Sequence, residues 1–232
     1  ASDVYKRQVD EDTRINVKLK SGQETEINAP GPKVTQEQFQ ALITQIKNTT
    51  SEDTVIVAGS VPNSIPSDAY AQIAEITKNT GAKLVVDAEK DLVDTVLPYR
   101  PLFIKPNKDE LEVMFNTTVS SDHDVVKYGK EILKKGAQSV IISLGGDGAI
   151  YVDEHQSIKA ENPQGKVINT VGSGDSTVAG MVAGLESGLS IQDAFKQAVA
   201  SGTATAFEED LATRDAIEKI KSQVTVSVLD GE

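Results

Sequence analysis

From Thr54 onward, short apolar runs alternate with amphipathic stretches: TVIVA at 54–58, a helical pattern over 67–79, KLVVD at 83–87, a short helix near 90–97, LFI at 102–104 and a helix over 107–115. Parallel strands need that rhythm, because a crossover must pass over one face of the sheet before the next strand can pair. The strands are nearly continuous in Val, Ile and Leu, a composition suited to a sheet covered on both faces. The expectation is a three-layer α/β/α, Rossmann-like domain with a mostly parallel sheet. A further helix over 121–135 stops at Gly136, and the strands QSVIISL and AIYVD follow, separated by GGDG. Helices over 174–187, 190–206 and 213–222 complete the pattern.

The front of the chain differs. RINVKLK and QETEIN flank Ser21-Gly22 and read as two strands of a hairpin, expected at a periphery with polar faces. After APGPK, Thr35 and Gln38 make a capping-box pattern ahead of Phe39, Leu42, Ile43 and Ile46 at helical spacing.

Composition removes several chemistries. The 232 residues contain no cysteine, which excludes disulfides, zinc–thiolate sites and a cysteine nucleophile. The two histidines, His123 and His155, have no second ligand at metal spacing. Thirty-five acidic against 23 basic side chains give a net charge of −12, which disfavours nucleic acid or an anionic membrane as partner. No apolar run approaches the roughly 20 residues that cross a bilayer, and the leading ASDVYKRQ lacks the apolar stretch of a secretion signal, so a cytoplasmic protein is expected.

Three segments can carry chemistry. NTVGSGDSTVAG at 169–180 places a glycine-rich turn at the start of a helix, where unpaired N–H groups and the positive dipole end favour an anion. Asp175 would repel phosphate there unless it accepts a proton from a hydroxyl, a combination that suits a kinase acting on an alcohol. The same residues also suit a capped helix behind a tight turn. In IKPNKDELEVMF at 104–115, a strand ends in proline and a helix begins with Asn107 and Glu110 on one face. An amide and a carboxylate at a strand's carboxyl end can hold magnesium through water, or simply cap the helix. ISLGGDGAIYV at 142–152 can cradle phosphates or make a hairpin turn.

In this order, KPNKDE, SLGGDG and NTVGSGDS resemble the ribokinase-like sugar kinases, also called the PfkB family. Within it, TRINVKL at 13–19, NAPGP at 28–32, AGSVPNSIP at 58–66 and TATAFEEDLA at 203–212 look most like the branch that converts fructose 1-phosphate and ATP to fructose 1,6-bisphosphate. The tagatose 6-phosphate and fructose 6-phosphate branches are the enzymatic alternatives, and a catalytically inert nucleotide-binding module is the alternative of another class.

The resemblance implies Asp175 as catalytic base and Gly172, Ser173 and Gly174 as the anion hole for the transferring phosphoryl group. It implies Asn107 and Glu110 as organisers of Mg2+ through water, and Lys105 as a phosphate neighbour. Ser143, Leu144, Gly145, Gly146, Asp147 and Gly148 would bind ATP, and Arg14 and Ser60 the sugar phosphate. Ser201 to Phe207 would complete the nucleotide pocket and a potassium or sodium site. By the same resemblance the intact enzyme is a homodimer paired through its lid. The family's first quarter, with a sugar-binding aspartate and a GGKG-type segment, has no counterpart in the sequence. The organisation expected is therefore an unrelated leader over 1–8, a remnant of a β lid over 9–32 and a nucleotide-binding kinase domain over 33–232.

Overall fold

The structure, a computed structural model, describes residues 7–21 and 23–229. Most of the expected leader, residues 1–6, and Gly22 of the hairpin turn lie outside the described residues. Strands β1 (Asn16–Ser21) and β2 (Gln23–Asn28) pair antiparallel and form a sheet of their own. Helix α1 (Gln36–Lys47) begins with the capping box that Thr35 and Gln38 predict, each side chain holding the other's backbone N–H.

The remaining strands are β3 (Thr54–Ala58), β4 (Lys83–Asp87), β5 (Phe103–Ile104), β6 (Ser139–Ser143), β7 (Ala149–Asp153), β8 (Ser157–Glu161) and β9 (Thr225–Val228). They form one seven-stranded sheet in sequence order. Pairing is parallel from β3 to β6 and antiparallel from β6 to β9, so five of the seven strands point the same way. The sequence reading lacked β8 and β9. SIKAE carries Lys159 and Glu161 among few apolar residues, and TVSV is only four residues long, so neither stands out from a loop.

Helices α2 (Ala69–Thr80), α3 (Lys90–Val96), α4 (Lys108–Phe115) and α5 (Asp122–Lys135) follow the strands, and α6 (Ser173–Glu186), α7 (Ile191–Ala206) and α8 (Arg214–Lys221) come after β8. The pleat divides the sheet's side chains between two cores. Leu84, Val86, Ile104, Val140 and Ile142 pack with residues of α1 to α5, whereas Val85, Phe103, Ile141 and Tyr151 pack with α6 and α7. This is the expected three-layer arrangement. Where α6 meets α7, a Cβ on Gly202 would collide with the Thr177 hydroxyl and stand 2.9 Å from the Ser173 carbonyl oxygen. That contact sets the start of α6 against α7 and so locates the glycine-rich segment.

Two expectations need correction. The hairpin is not polar on both faces: Val17, Leu19 and Ile27 are exposed, and Val17 stands directly opposite Ile27. TVIVA reads as a strand buried on both sides, yet β3 lies at the end of the strand order and Ile56 is 45% exposed. Hydrophobicity along a strand cannot say which neighbours flank it. Among the described residues no helix is long and apolar enough to cross a membrane.

Candidate active site

The carboxyl ends of β3, β4, β5 and β6 share one edge of the sheet, and the segments named in the sequence converge on it. β4 ends in Asp87, Lys105 follows β5, Ser143 ends β6, and the Gly59–Ser60 turn follows β3. Gly59 donates its N–H to the Asp87 carbonyl oxygen at 2.9 Å, which ties that turn to the next strand. This is where open α/β sheets place ligands.

α6 starts beside this edge. The Ser173 N–H is used by the Thr170 carbonyl at 3.2 Å, and the first helical bond runs from the Ser176 N–H to the Gly172 carbonyl at 2.8 Å. The N–H groups of Gly174 and Asp175 therefore remain at the helix end, as the geometry of a first turn requires. Gly172, at φ 81°, lets the chain turn into the helix from the left-handed region. The Ser173 hydroxyl is buried with no hydrogen-bond partner among the described residues. An orphaned hydroxyl beside two outward N–H donors fits a phosphoryl group, which accepts all three. Asp175, in the same first turn, is exposed.

Lys105 is 8% exposed, and its Nζ lies 3.2 Å from Asp87 Oδ2. A Cβ on Gly174 would stand 3.4 Å from that ammonium, so the absence of a side chain there lets the helix end come close to the ion pair. Burial pushes the Asp87 carboxyl above its ordinary value, Lys105 draws it back, and Asp175 pushes it up again. Asp87, Lys105 and Asp175 are thus electrostatically linked. Tyr70 donates its hydroxyl to the Gly59 carbonyl at 2.9 Å, and burial together with the Asp87 charge raises it to about 12. Asp87 was missing from the sequence reading. Its one signal is a carboxylate directly after the apolar run Leu84–Val86.

Asn107 and Glu110 form a reciprocal capping box, with both bonds at 2.8 Å. That is the structural role the sequence also allowed. Asn107 Oδ1 and Glu110 Oε2 are engaged, which leaves the second Glu110 oxygen and the Asn107 amino group for other partners. Among the described residues no group of three or more carboxylates or histidines could hold a metal by itself. A lone carboxylate oxygen suits magnesium, which keeps most of its waters and takes further oxygens from substrate phosphates.

A cavity of about 640 Å³ joins these parts. Lys105, Asn107, Ser173 and Gly174 line one end, and Ser143, Leu144, Gly145, Gly146 and Gly148 line a wall. Val199, Thr203, Ala206 and Phe207 also line the cavity, the last three from the segment Ser201 to Phe207, and Val199, Ala206 and Phe207 make this end apolar. GGDG closes the β6–β7 hairpin, the turn that the sequence also allowed, and its three glycines line the cavity. Asp147 is not among the lining residues and borders a separate cavity of about 390 Å³ with Lys108 and Lys159. Gly172, Asp175 and Glu110 are likewise outside the lining. Arg14 and Ser60 do come together, with the guanidinium donating to the hydroxyl at 2.9 Å, but they border neither cavity.

Residues 2–217 match the pfkB family carbohydrate kinase model. A 1-phosphofructokinase of Bacillus subtilis is 42% identical over 218 residues, 94% of this chain and 72% of that one. A D-tagatose-1-phosphate kinase of Bacillus licheniformis is 34% identical, again over 94% of this chain and 72% of the relative. A solved, provisionally named phosphofructokinase from Staphylococcus aureus superposes with a TM-score of 0.88 at 80% identity, over 97% of this chain and 74% of that one.

Proposed function

The chain belongs to the pfkB family of carbohydrate kinases, which transfer phosphate to an alcohol group, and from that premise we propose that its substrate is fructose 1-phosphate, converted with ATP to fructose 1,6-bisphosphate. The observation that carries this reading is the start of α6, where two free N–H donors and an orphaned Ser173 hydroxyl stand in the same turn as the exposed Asp175. Asp175 takes the proton as the sugar hydroxyl oxygen bonds to the γ-phosphorus and the bond to the ADP oxygen breaks. Gly174, Asp175 and Ser173 donate hydrogen bonds to the transferring group, and Gly172 gives the turn its shape. Lys105, held by Asp87, offsets phosphate charge.

ATP lies in the 640 Å³ cavity, its base toward Val199 and Phe207 and its phosphates past Ser143 to Gly148. Asn107 and Glu110 would hold Mg2+ through water, where it would supply charge neutralisation for the phosphates. The segment Ser201 to Phe207, which brings Thr203, Ala206 and Phe207 to the cavity lining, would also hold a potassium or sodium ion. Arg14 and Ser60 take the phosphate already on the sugar. Residues 9–32 act as a lid over the kinase domain of 33–232, and its Val17, Leu19 and Ile27 face pairs two copies.

The test is ADP release with magnesium ATP and fructose 1-phosphate, beside tagatose 1-phosphate, tagatose 6-phosphate and fructose 6-phosphate. Highest turnover on fructose 1-phosphate is expected. A preference for either tagatose phosphate or for fructose 6-phosphate reassigns the substrate. ATP binding with no turnover on any of them leaves a nucleotide-binding module.

A further inference from the structure

Asn162 lies just beyond β8 and belongs to none of the motifs, yet it lines both cavities. Its Nδ2 donates to the Gly145 carbonyl oxygen at 3.0 Å, and its Oδ1 accepts from the Thr203 hydroxyl at 2.7 Å. A carbonyl can only accept, so the amide must present its nitrogen to Gly145, and the oxygen is left for the hydroxyl. The two partners belong to different elements that line the cleft. Gly145 opens the glycine turn, while Thr203 is 6% exposed on α7 next to Gly202 at the apolar end.

The turn is held by backbone packing only at its far end, where a Cβ on Gly148 would collide with the Ala160 carbonyl oxygen. Its other bonds are its own: Leu144 N–H to Gly148 O at 2.8 Å, Asp147 N–H to Leu144 O at 3.2 Å and Gly148 N–H to Gly145 O at 3.2 Å. Among the described residues no other side chain bonds to it, and a Cβ on Gly145 or Gly146 would meet nothing within 4 Å. Glycines in open space are free to move, and ordering them on binding costs affinity.

We propose that Asn162 is a positioning residue for the nucleotide, its amide fixing the glycine turn to α7 and so setting the width of the slot between them. This rests on the nucleotide reading of the 640 Å³ cavity. The role needs both bonds, so breaking either one releases the turn.

Calorimetric binding of ATP and ADP to the full chain, to Asn162→Ala, to Thr203→Val and to the double variant tests it. Each single change should weaken binding of both nucleotides about tenfold. The double variant should be no worse than the weaker single, because the bridge is broken only once. Melting temperature without nucleotide should stay within roughly 2 °C of the parent. Unchanged affinity, a loss in only one single variant, losses that multiply, or a loss that tracks a fall in nucleotide-free melting temperature would each overturn the bridge. A parent chain that binds neither nucleotide sinks the nucleotide reading and the bridge with it. A parent that binds, with variants that bind equally well, sinks the bridge alone.

Discussion

Two parts of this molecule use the same residue types to opposite ends. Where β6 and β7 meet α7, Ile141, Tyr151 and Phe195 are buried, and Gly148 and Gly202 pack against the carbonyl oxygens of Ala160 and Ser173. At the front, Val17, Leu19 and Ile27 of the hairpin and Ile56 of β3 face outward. The described hydrogen bonds between residues 7–32 and the body from Lys33 onward include Arg7 to Gln45 at 2.9 Å, Arg14 to Ser60 at 2.9 Å and the Lys33 N–H to Glu11 at 2.6 Å. The lesson concerns division of labour. The groups proposed to position the transferring phosphoryl group stand on the packed part, while those proposed for the sugar phosphate stand on a part with exposed apolar faces.

The largest effect should come from the packed part. Asp175→Asn keeps the helix end and removes the proton acceptor, so kcat should fall by about 10²–10⁴ while the ATP dissociation constant changes little. Steady-state kinetics beside calorimetry checks this. A variant that retains kcat would move the base elsewhere and dissolve the contrast between a chemical back and a substrate-holding front.

Stability offers the next test. Ile141→Ala opens a cavity beneath α6 and α7 and should cost about 2–5 kcal/mol. Ile56→Ala, at 45% exposure, should cost under about 1 kcal/mol. Urea unfolding of both variants decides. Equal losses would mean that the front of the sheet is covered in solution.

How much of this was legible in the sequence depended on the range of the interaction. The capping box at Thr35 and the N-cap at Asn107 could be read directly, because both partners lie within one helical turn, whereas the capping reading of the sequence left Glu110 in solvent. The glycine-rich start of α6 was legible for the same reason. Asp87 was not: Lys105 becomes its neighbour only because β4 and β5 are adjacent in the sheet, which no local pattern states. Asn162 is harder still, with partners 17 and 41 residues away. The family motifs therefore located the cavity, but not the polar groups that hold its walls. β3 shows the converse, since TVIVA carries the composition of an interior strand in an edge position.

On the sugar side, Arg14→Ala should raise KM for the phosphosugar about 10–100-fold, the worth of a charged hydrogen bond to phosphate, and leave the ATP dissociation constant unchanged. Initial rates at varied phosphosugar separate the two. A rise in the ATP constant would place Arg14 in the nucleotide site and erase the boundary between front and back.

The smallest effect sharpens the comparison from within the packed part. Asp124, in the first turn of α5, is held at about 2 by the Ser120 backbone N–H and by the Ser121 and Ser120 hydroxyls, against an ordinary 3.8. A carboxyl held low in the folded state stabilises above its unfolded value, and that contribution fades as pH falls from 3.8 toward 2. Asp124→Asn should therefore melt slightly below the parent at pH 7, with the gap closing as the pH drops through that window. The group is exposed, so the gap should be far smaller than that of Ile141→Ala, although α5 packs on β6 and β7. A gap as large as the cavity variant's, or one that does not change with pH, would mean that surface hydrogen bonds rather than burial hold the nucleotide half together. The contrast with the front would then need a different cause.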